Sequence, residues 1–303
     1  MSSRGIAVTL ALALLVSLPT AAVAQKKGGT LRAAFNSDPP TLDPAQATDT
    51  TSSAVIRQIF DTLVELDATL KPVPALAERW SVSKEQTVYT FVLRRGIRFH
   101  HGREMRAADV KFSFERAAKG KRPWVFEKIV GAKAFLRGQA SEISGIRPLD
   151  DWTVEITVER PFAPFLSLVA YDAASIVPRE EAARLGVEFA SHPVGTGAFR
   201  FVSWRRDDQV ILEAFPSHFR GAPYLDRVLF RIIPAEITRF NEYKTRHLDW
   251  SDIPTGHCRA VQRDPVLKHE VAIWPILGTH AVRFNVERPP FTDRRLQIGR
   301  AHV

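Results

Sequence analysis

The sequence contains almost no cysteine. Cys258 is the single cysteine in 303 residues, so the chain cannot form an internal disulfide bond. A protein of this length without disulfides depends on its hydrophobic core, and 45% hydrophobic residues, with 10% aromatic, are enough to build one. Cys258 is either a reactive thiol or a passive residue in a polar loop, and the passive interpretation is the simpler one.

The sequence also lacks an apolar run long enough to cross a bilayer. Its longest run, over residues 6–18, is shorter than the roughly 20 residues that a membrane-spanning helix needs. Arg4 precedes this run, and the small residues 22–24 follow it in the pattern that a signal peptidase recognises. We therefore predict a cleaved signal peptide over residues 1–24. Because no cysteine lies near Gln25 to accept a lipid, we expect a periplasmic protein that is not a lipoprotein.

Blocks of like charge are missing as well. The chain carries 42 Lys and Arg against 33 Asp and Glu, which gives a formal net charge of +9. These charges alternate in sign along the whole chain, and no run of five or more basic residues occurs, so a solvated basic surface is the simplest interpretation. No nucleic-acid-binding motif accompanies the positive charge, and we expect no nucleic-acid partner.

Catalytic and cofactor motifs are absent from the sequence. The nine histidines include no H-E-x-x-H pattern, and His100 and His101 would face opposite ways in a strand. Gly195-Thr196-Gly197 begins like a dinucleotide loop, but Arg200 replaces the third glycine and a strand follows instead of a helix. The sequence has neither a P-loop nor G-x-S-x-G. We therefore expect no metal, no cofactor and no catalytic residue.

What the sequence does contain is a series of apolar segments with recognisable periods. Residues 199–204, 210–215 and 228–233 predict three strands of one sheet, with a turn at residues 205–208. Residues 30–35 predict an edge strand, and the alternation over residues 88–93 predicts a strand buried on both faces.

Helical spacing completes this pattern. Apolar residues at 55, 56, 59, 60 and 63 predict a helix that follows the hydroxyl-rich residues 48–53. A second helix is predicted from Ala107, and a short helical piece over residues 75–80. The mixture of strands and helices without regular alternation, in a chain long enough for two domains, indicates an α/β or α+β protein of two lobes with boundaries near Phe60 and Ile176.

Short motifs spread over the mature chain resemble one known family. In family order they are GGTL at 28–31, TLDP at 41–44, IFDTLVE at 59–65, PVPALAERW at 72–80, YTFVLRRGIRFH at 89–100, DVKFSF at 109–114, PVGTGAF at 193–199, FN at 284–285 and PPFTD at 289–293. Each motif is modest alone, but together they are specific. The sequence is similar to the family-5 extracytoplasmic solute-binding proteins of ABC transporters, the oligopeptide- and dipeptide-binding type.

The resemblance implies an α/β, periplasmic-binding-protein type II-like clamshell of two lobes, with a subdomain inserted in the first lobe and the second lobe largely missing. The implied division is residues 25–60 and 177–277 for lobe I, 61–176 for the inserted subdomain, and 278–297 for the hinge and the start of lobe II. Residues 298–303 depart from the family pattern and match the translation of a common sequencing-adapter string. We therefore expect the natural sequence of this chain to be interrupted after Gln297.

Candidate ligand residues follow from the resemblance. Thr48, Asp49 and Thr50 match a ligand-facing loop of the family, and Trp124 matches an aromatic residue that lines the cleft. Arg283 lies where peptide binders often carry an acid, which argues against recognition of a free peptide amine. An N-cap is the alternative role for Asp49, and a place in the subdomain core is the alternative for Trp124.

The resemblance also implies a function. We expect a monomeric receptor that captures a peptide-like solute by lobe closure and delivers it to an inner-membrane ABC permease. A nickel chelate, a sugar or another small solute is an alternative ligand, because a fold does not determine its ligand. A secreted hydrolase is the alternative from another class, and it requires a nucleophile or metal cluster that the sequence does not show.

Overall fold

The computed structural model describes residues 27–273 and 284–298. Its strands are β1 (Thr30–Phe35), β2 (Val64–Leu66), β3 (Pro72–Pro74), β4 (Ala77–Val82), β5 (Val88–Leu93), β6 (Ile146–Pro148), β7 (Thr153–Thr157), β8 (Phe199–Arg205), β9 (Gln209–Ala214) and β10 (Arg227–Ile232). Its α-helices are α1 (Thr50–Ile59), α2 (Ala107–Ala118), α3 (Ala132–Leu136), α4 (Phe165–Val169), α5 (Arg179–Leu185), α6 (Glu236–Lys244), α7 (Cys258–Arg263) and α8 (Arg294–Ile298). Short 3-10 helices cover Pro123–Val125, Asp172–Ala174, Gly186–Ala190 and Leu267–His269.

One four-stranded sheet has the order β1-β10-β9-β8. The three strands predicted between residues 199 and 233 are confirmed, and they form an antiparallel meander to which β1 adds in parallel. The tight β8–β9 turn places Asp207 in the left-handed region, with φ 56°. Such a conformation suits Asp, whose short polar side chain tolerates it.

The edge strand β1 is covered by a later part of the chain. The Asp249 N–H donates to the Arg32 carbonyl oxygen at 2.8 Å, and the Asp249 carboxylate accepts from the Arg32 N–H at 2.8 Å. The same carboxylate also accepts from Nε and Nη2 of Arg32. These hydrogen bonds with Arg32 lower the pKa of Asp249. Asp249 therefore satisfies the backbone N–H and carbonyl oxygen of Arg32 at the strand edge, and its carboxylate also binds the Arg32 guanidinium.

The second four-stranded sheet has the order β4-β5-β7-β6. Its first strand corrects the sequence prediction, because residues 75–80 were expected to be helical and β4 instead pairs antiparallel with β5. The strand β4 lies at the edge of its sheet, and its residues after Ala77 are exposed or half-buried. It therefore lacks the two-residue alternation of buried side chains by which a strand is recognised.

The strand β5 is more exposed than its sequence suggested. Tyr89, Phe91 and Leu93 are buried, but the residues between them are only half-buried. Its packing therefore follows the alternation expected of a sheet with one fully covered face.

The buried side chains form two hydrophobic clusters. One cluster contains Ala45 and residues drawn from 63–176, and it fills the space between the β4-β5-β7-β6 sheet and α2. The other draws on residues 33–60 and 177–230, and it packs α1 against the β1-β10-β9-β8 sheet. The division of the chain into lobe and inserted subdomain stays a prediction.

The Gly195-Thr196-Gly197 loop packs directly against the end of α1. A Cβ atom at Gly195 would lie 2.1 Å from the Ile59 carbonyl oxygen, and one at Gly197 would lie 2.5 Å from the Gln58 carbonyl oxygen. The Gly197 N–H donates to the Ile59 carbonyl oxygen at 2.8 Å. Glycine is required here because backbone meets backbone, which is a physical reason unrelated to nucleotide binding.

Candidate functional site

The candidate site begins at the N-terminus of α1. Asp49 is the N-cap, and its Oδ1 accepts from the Ser52 N–H at 2.7 Å. The N-cap alternative from the sequence is therefore confirmed, whereas a ligand contact by Asp49 stays a prediction. The second carboxylate oxygen, Oδ2, is buried and has no hydrogen-bond partner within residues 27–273 and 284–298. Thr48 and Thr50, on either side of the cap, are both exposed.

Trp124 lies in the 3-10 helix Pro123–Val125, and its exposed fraction is 48%. This exposure excludes the alternative in which the side chain belongs to the subdomain core. The indole packs on the ring of Tyr171, with centroids 5.6 Å apart and planes inclined by 50°. An exposed tryptophan held by a second aromatic ring offers a stacking face to a ligand.

A buried ion pair connects these two parts of the site. Arg122 Nη1 donates to Asp172 Oδ1 at 3.0 Å, and the Ser53 hydroxyl of α1 donates to Asp172 Oδ2. The Arg122 guanidinium also lies over the Tyr171 ring, 4.8 Å from its centroid. The predicted residues at the start of α1 and Trp124 are thus joined through Ser53, Asp172, Arg122 and Tyr171.

Sequence reasoning missed Asp172 and Arg122. Asp172 lies 50 residues from Arg122 and 119 from Ser53, so no local pattern relates the three residues. The only available sign was an acid in the mostly apolar segment around residues 168–177.

An open cleft of about 490 Å³ borders the ion pair. Polar groups form much of its lining, including Arg57 on α1, Asp61, Glu65 and the pair Tyr171 and Asp172. A cleft of this size falls in the range that small-molecule sites occupy.

A second cleft, of about 390 Å³, shares no lining residue with the first. It lies between α6 and the segment that follows Asp249, and its aromatic lining includes Phe240, Tyr243 and Trp250. Trp250 is 41% exposed. Sequence reasoning did not select these residues.

His100 and His101 both contact other groups of the protein. His100 Nδ1 accepts from the Gly195 N–H at 3.3 Å, and Nε2 lies 3.0 Å from the Gly197 carbonyl oxygen, so the neutral Nε2–H form satisfies both contacts. Burial lowers the pKa of His100 to about 4. His101 contacts Glu180 at 2.8 Å.

Across residues 27–273 and 284–298, no three His, Cys, Asp or Glu side chains are grouped as metal ligands.

Some sequence predictions concern residues that the structure does not describe. These are Arg283, the predicted signal peptide over residues 1–24, and residues 299–303.

The sequence over residues 71–297 matches the profile of the bacterial extracellular solute-binding proteins, family 5. The chain belongs to this family. The resemblance stated from its motifs is confirmed.

The curated relatives of this family 5 chain are named for different ligands. It is 29% identical over 273 residues to the probable deoxycholate-binding periplasmic protein YgiS of Escherichia coli, covering 86% of this chain and 50% of the relative. It is 29% identical over 300 residues to the dipeptide-binding protein of Escherichia coli, covering 93% and 55%. It is 28% identical over 270 residues to the glutathione-binding protein GsiB of Salmonella choleraesuis, covering 87% and 50%. The chain spans about half the length of the curated relatives it matches.

Solved structures support the fold. The periplasmic binding protein DppA of Helicobacter pylori, in complex with a peptide, superposes with a TM-score of 0.68 at 32% identity, over 79% of this chain and 50% of that one. The oligopeptide transporter substrate-binding domain of Bacillus anthracis gives 0.73 at 23% identity, over 78% and 47%. The predicted α/β fold of the periplasmic-binding-protein type II kind is therefore confirmed.

None of the helices within residues 27–273 and 284–298 has the length and apolar character that a membrane span requires.

Proposed function

We propose that the whole protein is a periplasmic receptor that captures a peptide-like solute by lobe closure and delivers it to an inner-membrane ABC permease. The observation that carries this proposal is the family match over residues 71–297, together with relatives named as binding proteins for a dipeptide and for glutathione. The protein acts as a monomer, after removal of the signal peptide, and it performs no catalysis.

The proposed site is the surface formed by the start of α1 and Trp124. Thr48 and Thr50 offer hydroxyl groups, and Trp124 offers an apolar face beside Tyr171. A solute held on this surface is enclosed when a second lobe closes over it. Closure is favoured to the extent that the solute binds the closed state more tightly than the open one.

A different small solute in the same fold is the alternative. The relative named for deoxycholate is as similar to this chain as the one named for a dipeptide, both at 29% identity, so similarity alone does not select the ligand class. Nickel chelates and sugars belong to the same alternative. A secreted hydrolase remains the candidate from another class.

A thermal-shift screen of the complete natural protein tests the proposal. The probes are dipeptides, reduced glutathione, deoxycholate, a nickel chelate and a sugar, each at a concentration far above the dissociation constant expected of a receptor. A ligand at about 100 times its dissociation constant stabilises the folded protein by about 2.7 kcal/mol, which is a shift of several degrees.

The screen has distinct outcomes for the competing proposals. Stabilisation by a dipeptide or glutathione supports the peptide-like ligand, and stabilisation only by another probe supports the alternative. No shift with either peptide contradicts the first choice. Chromatography of each peptide after incubation with the protein detects hydrolysis, and turnover would establish the enzyme class.

A further inference from the structure

We infer that Asp172 and Arg122 are positioning residues of the candidate solute site, which hold the first turn of α1 and Trp124 in one fixed arrangement. This inference rests on the proposed function, because it assigns both residues to the same site. Neither side chain needs to touch the solute. Their role is to keep two separately encoded walls of the site at a constant spacing.

The contact on the α1 side is made by Ser53. Its hydroxyl donates to Asp172 Oδ2 and also lies 2.8 Å from the carbonyl oxygen of the N-cap residue Asp49. The Asp172 carboxylate is in turn oriented by the Ala173 N–H, which donates to Oδ1 at 3.1 Å. The first turn of α1 is thereby tied to a carboxylate that cannot rotate freely.

The contact on the tryptophan side is made by Arg122. Its Nη1 donates to Asp172 at 3.0 Å while its plane covers the Tyr171 ring, and that ring packs against Trp124. Arg122 is also only two residues from Trp124 in the chain. Both the backbone and the stacked rings therefore transmit the position of Arg122 to the exposed indole.

Burial distinguishes this pair from an ordinary surface ion pair. The exposed fraction is 1% for the Asp172 side chain and 11% for that of Arg122. Removing two charges from water is costly, and well-packed apolar residues often stabilise a fold as well or better, so a buried pair is weak evidence of a stabilising role alone. A geometric role at the site accounts for a charged pair at this position.

Arg103 and Asp109 form a matched control pair. Arg103 donates to both oxygens of Asp109, at 2.7 and 3.0 Å, and the Asp109 side chain is 7% exposed. The Asp109 carboxylate also accepts from the Arg106 N–H at the start of α2, and it has no hydrogen bond to α1 or to Trp124. Losing this pair should lower stability without changing the site.

The first measurement uses acrylamide quenching of the fluorescence that Trp124 contributes. This contribution is the difference between each protein and its Trp124→Phe counterpart. Asp172→Ala should raise the quenching of Trp124, because Arg122 and Tyr171 are no longer held, whereas Asp109→Ala should leave it unchanged. Arg122→Lys keeps the charge but loses the planar stacking group, so it should raise quenching as well.

The second measurement is the dissociation constant for alanyl-alanine and for reduced glutathione by calorimetry. Asp172→Ala should weaken binding of whichever probe the wild type binds by about tenfold or more, and Asp109→Ala should not. Far-ultraviolet circular dichroism verifies folding, and Arg122→Lys decides the question if Asp172→Ala does not fold.

The two proposals can fail separately. If Asp172→Ala and Arg122→Lys both fold and Trp124 is quenched in them as it is in the wild type, the positioning role is overturned, even where the protein binds a peptide. Failure of the wild type to bind either probe would count against the peptide receptor, while the quenching comparison would still decide whether Asp172 and Arg122 hold Trp124.

Discussion

At the scale of single residues, His100 is held in a setting that suits only its neutral form. Its ring accepts from the Gly195 N–H and contacts the Gly197 carbonyl oxygen, and it packs edge-on to Phe215 at 5.0 Å. Asp61, Arg200 and His218 are the charged or titratable groups that face it. A proton added to Nδ1 would turn that nitrogen from an acceptor into a donor opposite another donor.

This setting predicts a loss of stability in acid. Burial lowers the pKa of His100 from 6.5 to about 4, so the unfolded chain binds a proton more readily than the folded one between these values. The stabilisation is complete above pH 6.5 and is lost as pH falls towards 4, by up to about 3 kcal/mol. Urea unfolding at several pH values should show a steeper loss in the wild type than in His100→Gln. His101→Gln, which alters the neighbouring exposed histidine, should behave like the wild type, and equal slopes in all three proteins would contradict the prediction.

Asp49 supports a second prediction at this scale. It is the N-cap of α1, so Asp49→Ala should lower the free energy of unfolding by about 1 kcal/mol, whereas Asn, which caps equally well, should cost little. Chemical denaturation measures both variants. If Asp49 also binds the solute through its charge, Asp49→Asn should weaken binding while leaving stability near that of the wild type. Equal stability of the Ala and Asn variants would exclude the capping role.

At the scale of secondary-structure elements, α1 is held at both ends. Its first turn contacts Asp172 through Ser53, and its last residue, Ile59, accepts from the Gly197 N–H. Because the backbone of Gly195 and Gly197 approaches the helix backbone directly, neither position has room for a side chain. The helix that presents Thr48 to Thr50 is therefore fixed from two directions by parts of the chain distant in sequence.

Gly195→Ala should disrupt this contact. The added methyl group would lie 2.1 Å from the Ile59 carbonyl oxygen, and backbone atoms cannot move aside cheaply. We expect a loss of about 1–3 kcal/mol in the free energy of unfolding, as for other overpacked sites. Hydrogen exchange should also show faster exchange of the Gly197 N–H.

Val194→Ala is the control for this variant. It removes atoms from the same loop and adds none at the contact with α1, so the Gly197 N–H should stay protected. Protection of that amide in both variants would show that the loop can accommodate a side chain.

At the scale of the whole molecule, the proposed receptor function predicts a change of shape on binding. The complete natural protein should become more compact with a solute that it binds, because lobe closure reduces the radius of gyration. Small-angle X-ray scattering with and without the solute measures this change. A probe that gives no thermal shift serves as the control, and an unchanged radius of gyration with a bound solute would contradict closure.

Particular elements show how far the sequence could predict this structure. The three strands between residues 199 and 232 were recognisable from β-branched and aromatic residues between polar turns, and α1 from its helical spacing. The helix is shorter than predicted, because it ends at Ile59 and the apolar positions 60 and 63 lie beyond it. The strand β4 was not, because it is an edge strand whose residues after Ala77 are exposed or half-buried, so that buried side chains do not alternate along it. The cap at Asp49 was one of two open interpretations, and only the 2.7 Å contact with the Ser52 N–H decided it.

The sequence by itself determined the family, the fold class and the helix α1 that follows Thr48 and Asp49, because those properties depend on local pattern and on motifs in order. Only the tertiary structure showed that Asp172 and Arg122 join this helix to Trp124, and that Gly195 is required by a close backbone contact. The physical reason is that a hydrogen bond, an ion pair or a steric limit acts between atoms a few ångströms apart. When the two residues are 50 to more than 100 positions apart, no local sequence pattern shows that they are in contact.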